Sequence, residues 1–257
     1  MTMKTTLGFI GGGRITRIFL RAFVNRQATF GIMVFEKDAE TAQNLLRDFP
    51  HIELAPSALA AAKAAVTFIA LHPPVIVETL ESISPALTDE SIVISLAPKI
   101  TLEKLTEKTG VSQVARMIPN ATSYINEGFN PVTFAPTFLP EKKAKLFEML
   151  QLLGNTFEVE EPKLEAYALL SAMLPTYFWF QWDELVRLGS QMGLTEEECR
   201  SSVYQTLQAA LNLFFTSGLS PQQVMDLIPV KPLKDTEEAV SASMRQKLTE
   251  TWHKIIP

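Results

Sequence analysis

The sequence is poor in the residues that form disulfides or bind metals. Its 257 residues include one cysteine, Cys199, which has no second cysteine to pair with. The three histidines, His51, His72 and His253, are far apart in the chain. We therefore expect no internal disulfide, no structural zinc site and no bound metal.

An excess of positive charge and long uncharged apolar runs are also missing. The net charge of −5 argues against nucleic acid or an anionic membrane as the main partner. The longest uncharged apolar run, residues 166–182, contains Pro175 and is shorter than a typical membrane span. A signal-peptide pattern is not recognised, because Gly-Gly-Gly-Arg interrupts the apolar run after Ile10. These features predict a cytoplasmic protein.

What the sequence does contain is a glycine-rich stretch between a predicted strand and a predicted helix. Such a turn brings backbone N–H groups and the positive end of a helix dipole to one point, where a pyrophosphate can bind. Gly11 would make the sharp turn, and Gly13 would let phosphates approach the backbone. Thr16 stands where the G-x-G-x-x-G/A pattern has glycine or alanine. The residues predicted to bind a dinucleotide here are Ile10, Gly11, Gly12, Gly13, Arg14 and Ile15.

An acidic residue ends the second predicted strand, residues 32–35. Glu36 lies at the distance expected of a carboxylate that binds the ribose hydroxyls of an adenosine, which favours NAD. The alternative is a solvated acid paired with Lys37, and Lys37 is itself a candidate ligand of a 2′-phosphate. Arg14 either lies along the pyrophosphate or is a surface residue.

Further strand ends carry the remaining candidate cofactor contacts. In doubly wound sheets the ligand binds at the carboxyl ends of the strands. The apolar runs 65–71 and 91–96 predict buried strands, and residues 113–117 predict a further strand. The residues predicted to bind the cofactor after them are Leu71, His72, Pro73, Ala97 and Asn120. Lys99 is a candidate partner of a substrate carboxylate, or a surface lysine.

The character of the chain changes at Pro162. Strands and helices alternate before it and only helical patterns follow, which predicts an α/β fold of residues 1–161 and a helical domain of residues 162–257. The segment 164–192 has a helical pattern that Pro175 breaks, and large apolar residues are close together within it from Leu169 to Trp182. Burial against a second subunit would explain it, so we predict a homodimer or a higher oligomer. The alternative is a well-covered central helix in a monomer.

Several segments share their order and spacing with one known family, the pyrroline-5-carboxylate reductases. The glycine loop of residues 9–13 resembles that of the family, and so does Arg-Met-Ile-Pro-Asn at 116–120. Residues 94–101 resemble the family's Ile-Ser-Ile-Ala-Ala-Gly-Ile-Thr. Further matching segments are residues 70–73, 171–177, 192–194, 217–221 and 225–228.

This resemblance implies an N-terminal Rossmann-type doubly wound sheet followed by an all-α C-terminal dimerisation domain. It implies hydride transfer from NADH or NADPH to the C=N (or C=O) of a small substrate in a cleft between the domains. The family's substrate is a cyclic imine carboxylate and its product is proline, so the resemblance places the chain in proline biosynthesis. Ser171, Tyr177 and Thr236 match the substrate side and are the predicted catalytic residues. The family favours NADP, whereas Glu36 favours NAD.

The departures from the family fall on the substrate side. Residues 229–236 read Pro-Val-Lys-Pro-Leu-Lys-Asp-Thr, where the family has Ser-Pro-Gly-Gly-Thr-Thr to bind the carboxylate. Lys99 replaces a small residue, and His72 replaces a lysine. The substrate is therefore expected to differ, as a larger or less acidic molecule. One alternative is a non-catalytic NAD(P)-binding protein that has lost its substrate site. A β-hydroxyacid dehydrogenase is disfavoured, since no glycine-rich helix with a downstream catalytic lysine lies between Gly154 and Gly193.

Overall fold

A computed structural model describes residues 5–72 and 75–257 of the chain. Pro73, predicted to bind the cofactor, lies outside these residues. An eight-stranded sheet forms the first part of the fold, in the order β3-β2-β1-β4-β5-β6-β7-β8. Its strands are β1 (Thr6–Ile10), β2 (Gly31–Phe35), β3 (Glu53–Leu54), β4 (Val66–Ile69), β5 (Ile92–Ser95), β6 (Val114–Met117), β7 (Gly128–Phe134) and β8 (Gly154–Glu158).

The sheet is doubly wound, as the sequence predicts. Neighbouring strands are parallel except β6 and β7, which pair antiparallel. The chain runs outward from β1 to β3 and then returns to place β4 on the other side of β1. This reversal creates the crevice in which such sheets bind ligands.

Helices join the strands and make up the later part of the chain. The first group contains α1 (Arg14–Asn25), α2 (Ala39–Asp48), α3 (Ala58–Ala61), α4 (Ile76–Ile83), α5 (Leu102–Thr109) and α6 (Pro140–Leu150). The second group contains α7 (Leu164–Tyr167), α8 (Trp179–Gln191), α9 (Glu196–Thr216), α10 (Pro221–Asp226) and α11 (Glu237–Ile255). A capping box starts α9, because Thr195 and Glu198 each accept a hydrogen bond from the other's backbone N–H.

Two apolar cores cover the two faces of the sheet. Alternate side chains of a strand point to opposite faces, so Phe9 and Phe68 enter one core while Ile10 and Ile69 enter the other. The rings of Phe9 and Phe68 stack with centroids 4.7 Å apart, and Phe19 of α1 meets both rings edge-on. This contact fixes α1 on the sheet directly after the glycine loop.

The helix predicted for residues 164–192 is interrupted before Pro175, and the interruption spans more residues than a break at that proline alone. After α7 the chain forms a π-helical stretch over residues 168–172 and a 3-10 turn, Leu174–Tyr177, before α8 begins. Proline lacks the N–H that would continue the helix, and its ring clashes with the preceding turn. The expected break is confirmed, but it extends from residue 168 to residue 178.

The chain forms two compact units. One comprises residues 1–172, apart from the undescribed ones, together with residues 252–257, and the other comprises residues 173–251. Residues 162–172 group with the sheet because Leu164, Glu165 and Ala168 are buried there. The domain boundary near Glu161 remains a prediction from the sequence.

A fully buried arginine ties β6 to the segment that follows the sheet. The Nη1 of Arg116 donates to Oε1 of Glu161 at 2.9 Å, and its Nη2 donates to Glu165, whose side chain is also buried. The same Glu161 oxygen accepts the backbone N–H of Leu102, the first residue of α5, at 2.7 Å. One carboxylate therefore holds both a central strand and the start of a helix.

Removing the arginine should unfold the protein more easily. We expect Arg116→Met to lower the free energy of unfolding by about 3–5 kcal/mol, because it leaves the Glu165 carboxylate buried without its cation. Arg47→Met is the matched control. Its side chain is largely exposed beside Asp48, so the loss should stay below about 1 kcal/mol. Urea unfolding followed by circular dichroism measures both, and equal losses would contradict a special role for Arg116.

Candidate active site

The turn after β1 is the centre of the candidate site. Gly11 has φ +104°, and its N–H donates to the Phe35 carbonyl at 2.8 Å. A Cβ on Gly11 would lie 2.4 Å from the Ala70 carbonyl oxygen, so only glycine fits. The turn therefore joins the ends of β1, β2 and β4 at one point.

The N-terminus of α1 is open to a ligand. Gly13 is the N-cap, and no side chain caps the helix there. Apart from the local backbone of the turn and helix, no described atom lies within 4 Å of the point that a Cβ of Gly13 would occupy. The first turn of a helix leaves backbone N–H groups without partners inside the helix, which attract an anion. Arg14 is exposed at the start of this turn, and Ile15 is half-buried. This arrangement fits the pyrophosphate of a dinucleotide.

Thr16 explains the departure from the glycine pattern. Its side chain is fully buried, and its hydroxyl donates to the Gly11 carbonyl at 2.5 Å. The third position of the pattern normally allows close packing of helix on strand. Here Thr16 stands at that position, and its hydrogen bond joins the helix to the turn.

Glu36 bends back over the glycine loop. Its carboxylate accepts the N–H of Gly12 at 2.7 Å and the N–H of Asp38 at 2.9 Å. A Cβ on Gly12 would lie 3.0 Å from the Cβ of Glu36, so a side chain there would crowd this contact. In the described part of the chain Glu36 has no ion pair with Lys37, which is exposed.

A second carboxylate lies near Glu36, and the sequence analysis did not single it out. Asp38 is exposed and caps α2 by accepting the Thr41 N–H at 2.7 Å. Hydrogen bonds from the Thr41 side chain, and then from its backbone, lower the pKa of Asp38. The end of β2 is therefore negatively charged at neutral pH. The capping position of Asp38 before a helical run is the signal that would have found it.

The other predicted cofactor contacts follow β4, β5 and β6. Leu71 is half-buried and His72 exposed after β4, and Ala97 is buried after β5. Asn120 is buried after β6, where its Oδ1 accepts the Thr122 N–H at 3.0 Å. Because β1, β4, β5 and β6 are parallel, these segments lie at the same edge of the sheet as the glycine loop. We call this the carboxyl edge.

A strained lysine also lies at the carboxyl edge. Lys99 is exposed and has φ +69°, a left-handed conformation that costs a residue with a Cβ about 1–2 kcal/mol. Its neighbours Ala97 and Ile100 are buried, and Thr101 caps α5 by accepting the Lys104 N–H at 3.1 Å. The resembling family has glycine at this position, which is the sequence signal for the conformation.

The three predicted catalytic residues carry hydroxyl groups in different local settings. Ser171, in the first unit, is buried and donates to the Tyr167 carbonyl at 2.7 Å. Tyr177 and Thr236 belong to the second unit. Thr236 donates to the Leu233 carbonyl at 2.7 Å. Burial raises the pKa of Tyr177, so its phenol stays protonated at neutral pH.

The segment that replaces the family's carboxylate loop uses its own backbone donors. The N–H of Lys234 donates to the Lys231 carbonyl at 3.2 Å, and the N–H of Thr236 donates to the Leu233 carbonyl at 3.0 Å. Pro229 and Pro232 have no N–H to offer. Lys231 lies 3.8 Å from an Asp226 carboxylate oxygen. Four of the eight residues of this segment, Pro229, Pro232, Lys234 and Thr236, therefore offer no free backbone N–H to an anion.

Two further properties concern metals and membranes. Within residues 5–72 and 75–257, no three His, Cys, Asp or Glu side chains are grouped as metal ligands. No helix in those ranges combines the length and apolar character needed to cross a membrane.

Comparison with known proteins links this arrangement to one group of enzymes. A family described as NADP oxidoreductase coenzyme F420-dependent matches residues 6–99, the part with the glycine loop and Glu36. The chain is 24% identical over 225 residues to pyrroline-5-carboxylate reductase of Corynebacterium melassecola, covering 86% of this chain and 83% of the relative. It is 24% identical over 242 residues to the enzyme of Escherichia coli strain K12, covering 93% and 89%.

A solved structure shares the fold. The pyrroline carboxylate reductase of Plasmodium falciparum, crystallised with NADP bound, superposes with a TM-score of 0.72 at 19% identity, covering 98% of this chain and 94% of that one. The likeness extends across both the sheet and the helical part. The chain is thus an NAD(P)-dependent oxidoreductase that resembles pyrroline-5-carboxylate reductase over most of its length.

Proposed function

We propose that the chain reduces the C=N or C=O bond of a small molecule with a reduced nicotinamide cofactor. The observation that carries the proposal is the open, uncapped N-terminus of α1 beside the Glu36 carboxylate. A helix N-terminus binds the pyrophosphate and a carboxylate binds the ribose of a dinucleotide. The strand ends provide a surface for the rest of the cofactor.

The order of the strands gives the cofactor a direction. Glu36 follows β2 on one side of β1, whereas β4 and β5 lie on the other side. A dinucleotide whose adenosine ribose bound Glu36 and whose pyrophosphate bound Gly13 would have Leu71, His72 and Ala97 available to hold its nicotinamide half. The bound nicotinamide supplies the hydride.

The remaining task of the protein is to hold the substrate and manage one proton. A C=N bond accepts hydride best as the iminium, whose N–H donates a hydrogen bond. The Ser171 hydroxyl and the Thr236 hydroxyl each donate to a nearby backbone carbonyl, which leaves each oxygen able to accept a hydrogen bond. Tyr177 keeps its phenolic proton and is suited to donate. These roles remain proposals for the three residues.

A turnover assay tests this function against the non-catalytic alternative. The protein is incubated with NADH or NADPH and a panel of cyclic imines and keto acids, and cofactor oxidation is followed at 340 nm. We expect measurable turnover of at least one carbonyl or imine compound. A protein that binds NADH yet turns over no member of the panel would support the alternative, a cofactor-binding protein without a reaction.

We further propose that the protein is a cytoplasmic homodimer joined through the helices after Pro162. Only Cys199 of the 21 residues of α9 is buried. Large apolar side chains in the second unit are exposed, among them Phe180 at 68% and Phe215 at 75%. A surface as apolar as this requires a partner, and a second copy offers the same apolar helices.

The oligomeric state follows from this surface. Light scattering at micromolar concentration should give at least twice the 28.6 kDa of one chain. Phe215→Glu should shift the protein towards monomer, because it places a charge on the proposed interface. Ile125→Glu is the control, since Ile125 is 59% exposed in the first unit and should leave the mass unchanged. A monomeric wild type would refute the proposal.

Cofactor choice follows from the charge at the end of β2. We expect NADH to bind at least as tightly as NADPH, because a 2′-phosphate would face the carboxylates of Glu36 and Asp38. Glu36→Gln keeps an oxygen for the Gly12 N–H but removes the charge. It should improve NADPH affinity relative to NADH about tenfold, equivalent to about 1.4 kcal/mol. Fluorescence titration measures both constants.

A distant carboxylate provides the control for this titration. Glu148 is exposed and borders a cavity with Thr5 and Ala65, near the amino ends of the strands. Glu148→Gln should leave the NADH-to-NADPH ratio unchanged. A clear preference of the wild type for NADPH would contradict the assignment and point to Lys37 and Arg14 as ligands of the 2′-phosphate.

The lack of free backbone donors in segment 229–236 leads to a prediction about the substrate. We expect pyrroline-5-carboxylate to be reduced poorly, with kcat/KM below about 10⁴ M⁻¹s⁻¹. The backbone donors that a carboxylate would need are lacking at Pro229 and Pro232 and already engaged at Lys234 and Thr236. Replacing the segment with Ser-Pro-Gly-Gly-Thr-Thr should raise this activity. An ordinary kcat/KM in the unmodified protein would show the inference to be wrong.

A further inference from the structure

The chain has lost one carboxylate-binding segment, and its lysines are the groups that can replace it. Three lysines are candidates for this role: Lys99 near the end of β5, and Lys231 and Lys234 within segment 229–236. Their surroundings differ. Lys231 lies 3.8 Å from Asp226, an opposite charge that competes with any anion. Lys234 begins a short 3-10 turn, Lys234–Thr236, in ordinary right-handed backbone.

Lys99 differs from both in its backbone and its neighbours. It adopts φ +69°, which a residue with a Cβ avoids and glycine does not. Such strain persists only where the surrounding structure imposes it, and it is concentrated at functional sites. The chain keeps a cation at this position at a cost in stability, although glycine would relieve the strain.

The segment around Lys99 is fixed at both ends. Ala97 before it and Ile100 after it are buried. The N–H of Leu102 is held by Glu161, which is held in turn by buried Arg116. The lysine itself is exposed, and it forms no ion pair within the described ranges. A rigid, anchored backbone therefore presents a charge that no described residue neutralises.

The position of Lys99 lies on the nicotinamide side of the proposed cofactor. It follows β5 by four residues, and β5 pairs with β4 on the side of β1 away from Glu36. The substrate must approach this end of the cofactor for hydride transfer. A lysine there can bind an anionic group of the substrate as a point charge.

We propose that Lys99 binds the carboxylate of the substrate, in place of the lost donors of segment 229–236. This inference rests on the proposed reductase function. The substrate is then an anion whose carboxylate is held from the nucleotide-binding unit. The sequence predicts a substrate that is larger or less acidic than that of the resembling family. A role of Lys99 in binding a carboxylate favours the larger molecule, because that substrate is still an anion.

Binding of a stable analogue tests the proposal without turnover. The full-length protein is saturated with NADH and titrated by calorimetry with pyridine-2-carboxylate, and in parallel with the uncharged pyridine-2-carboxamide. We expect Lys99→Gln to weaken carboxylate binding at least tenfold and to change carboxamide binding less than twofold. Lys99→Arg, which keeps the charge, should retain most of the affinity.

Two lysine variants are the matched controls. Lys63 is exposed and precedes β4 by three residues, at the amino end of the strand. Lys63→Gln should bind both compounds as the wild type does. Lys234→Gln should also do so, and selective loss of carboxylate binding in that variant would assign the role to Lys234 instead.

The backbone strain at Lys99 can be tested through protein stability, independently of ligand binding. Lys99→Gly should raise the melting temperature by about 2–4 °C, as relief of a left-handed residue predicts for a chain of this size, and should still lose carboxylate binding. A lower melting temperature would contradict the strain argument. Failure of NADH to bind the wild type would refute the reductase function. NADH binding without carboxylate binding, or full carboxylate affinity in Lys99→Gln, would overturn only the role of Lys99.

Discussion

The candidate site depends on one constraint. The chain must turn from β1 into α1 at a residue that has no Cβ, which is Gly11. Gly11 takes a left-handed conformation between the ends of β2 and β4, where its N–H meets Phe35 and a side chain would strike Ala70. The Gly11 carbonyl in turn accepts the Thr16 hydroxyl. The turn and the first helix are therefore one hydrogen-bonded unit, aimed at the carboxyl edge by the packing of Phe19 on the sheet.

A second turn at the carboxyl edge, at Lys99, also has a positive φ. At Gly11 the strain is removed by the choice of residue, whereas at Lys99 it is retained together with a charge. Glu161 supports the second turn, because one of its oxygens binds the start of α5 and also Arg116. A buried ion pair is an expensive way to gain stability alone. Here it also fixes the start of α5, next to the turn that carries the charge of Lys99.

The sequence predicts the features that depend on local chemistry. Apolar runs mark β4 and β5, the pattern of residues 113–117 marks β6, and the glycine loop marks the turn from β1 into α1. The sequence does not predict features that depend on tertiary pairing. These include the antiparallel pairing of β7 with β6 and the π-helical stretch at 168–172. The hydrogen bond from Gly12 to Glu36 joins residues 24 positions apart and is visible only in the folded chain.

That hydrogen bond has a consequence for the kinetics and entropy of cofactor binding. The two carboxylate oxygens of Glu36 are already held by the N–H groups of Gly12 and Asp38, yet each oxygen keeps a lone pair for a ribose hydroxyl. The rotamer freedom of this side chain is therefore lost when the protein folds and not when the cofactor arrives. An adenosine ribose that binds Glu36, as proposed, would meet a carboxylate that is already positioned, without a slow rearrangement at the end of β2.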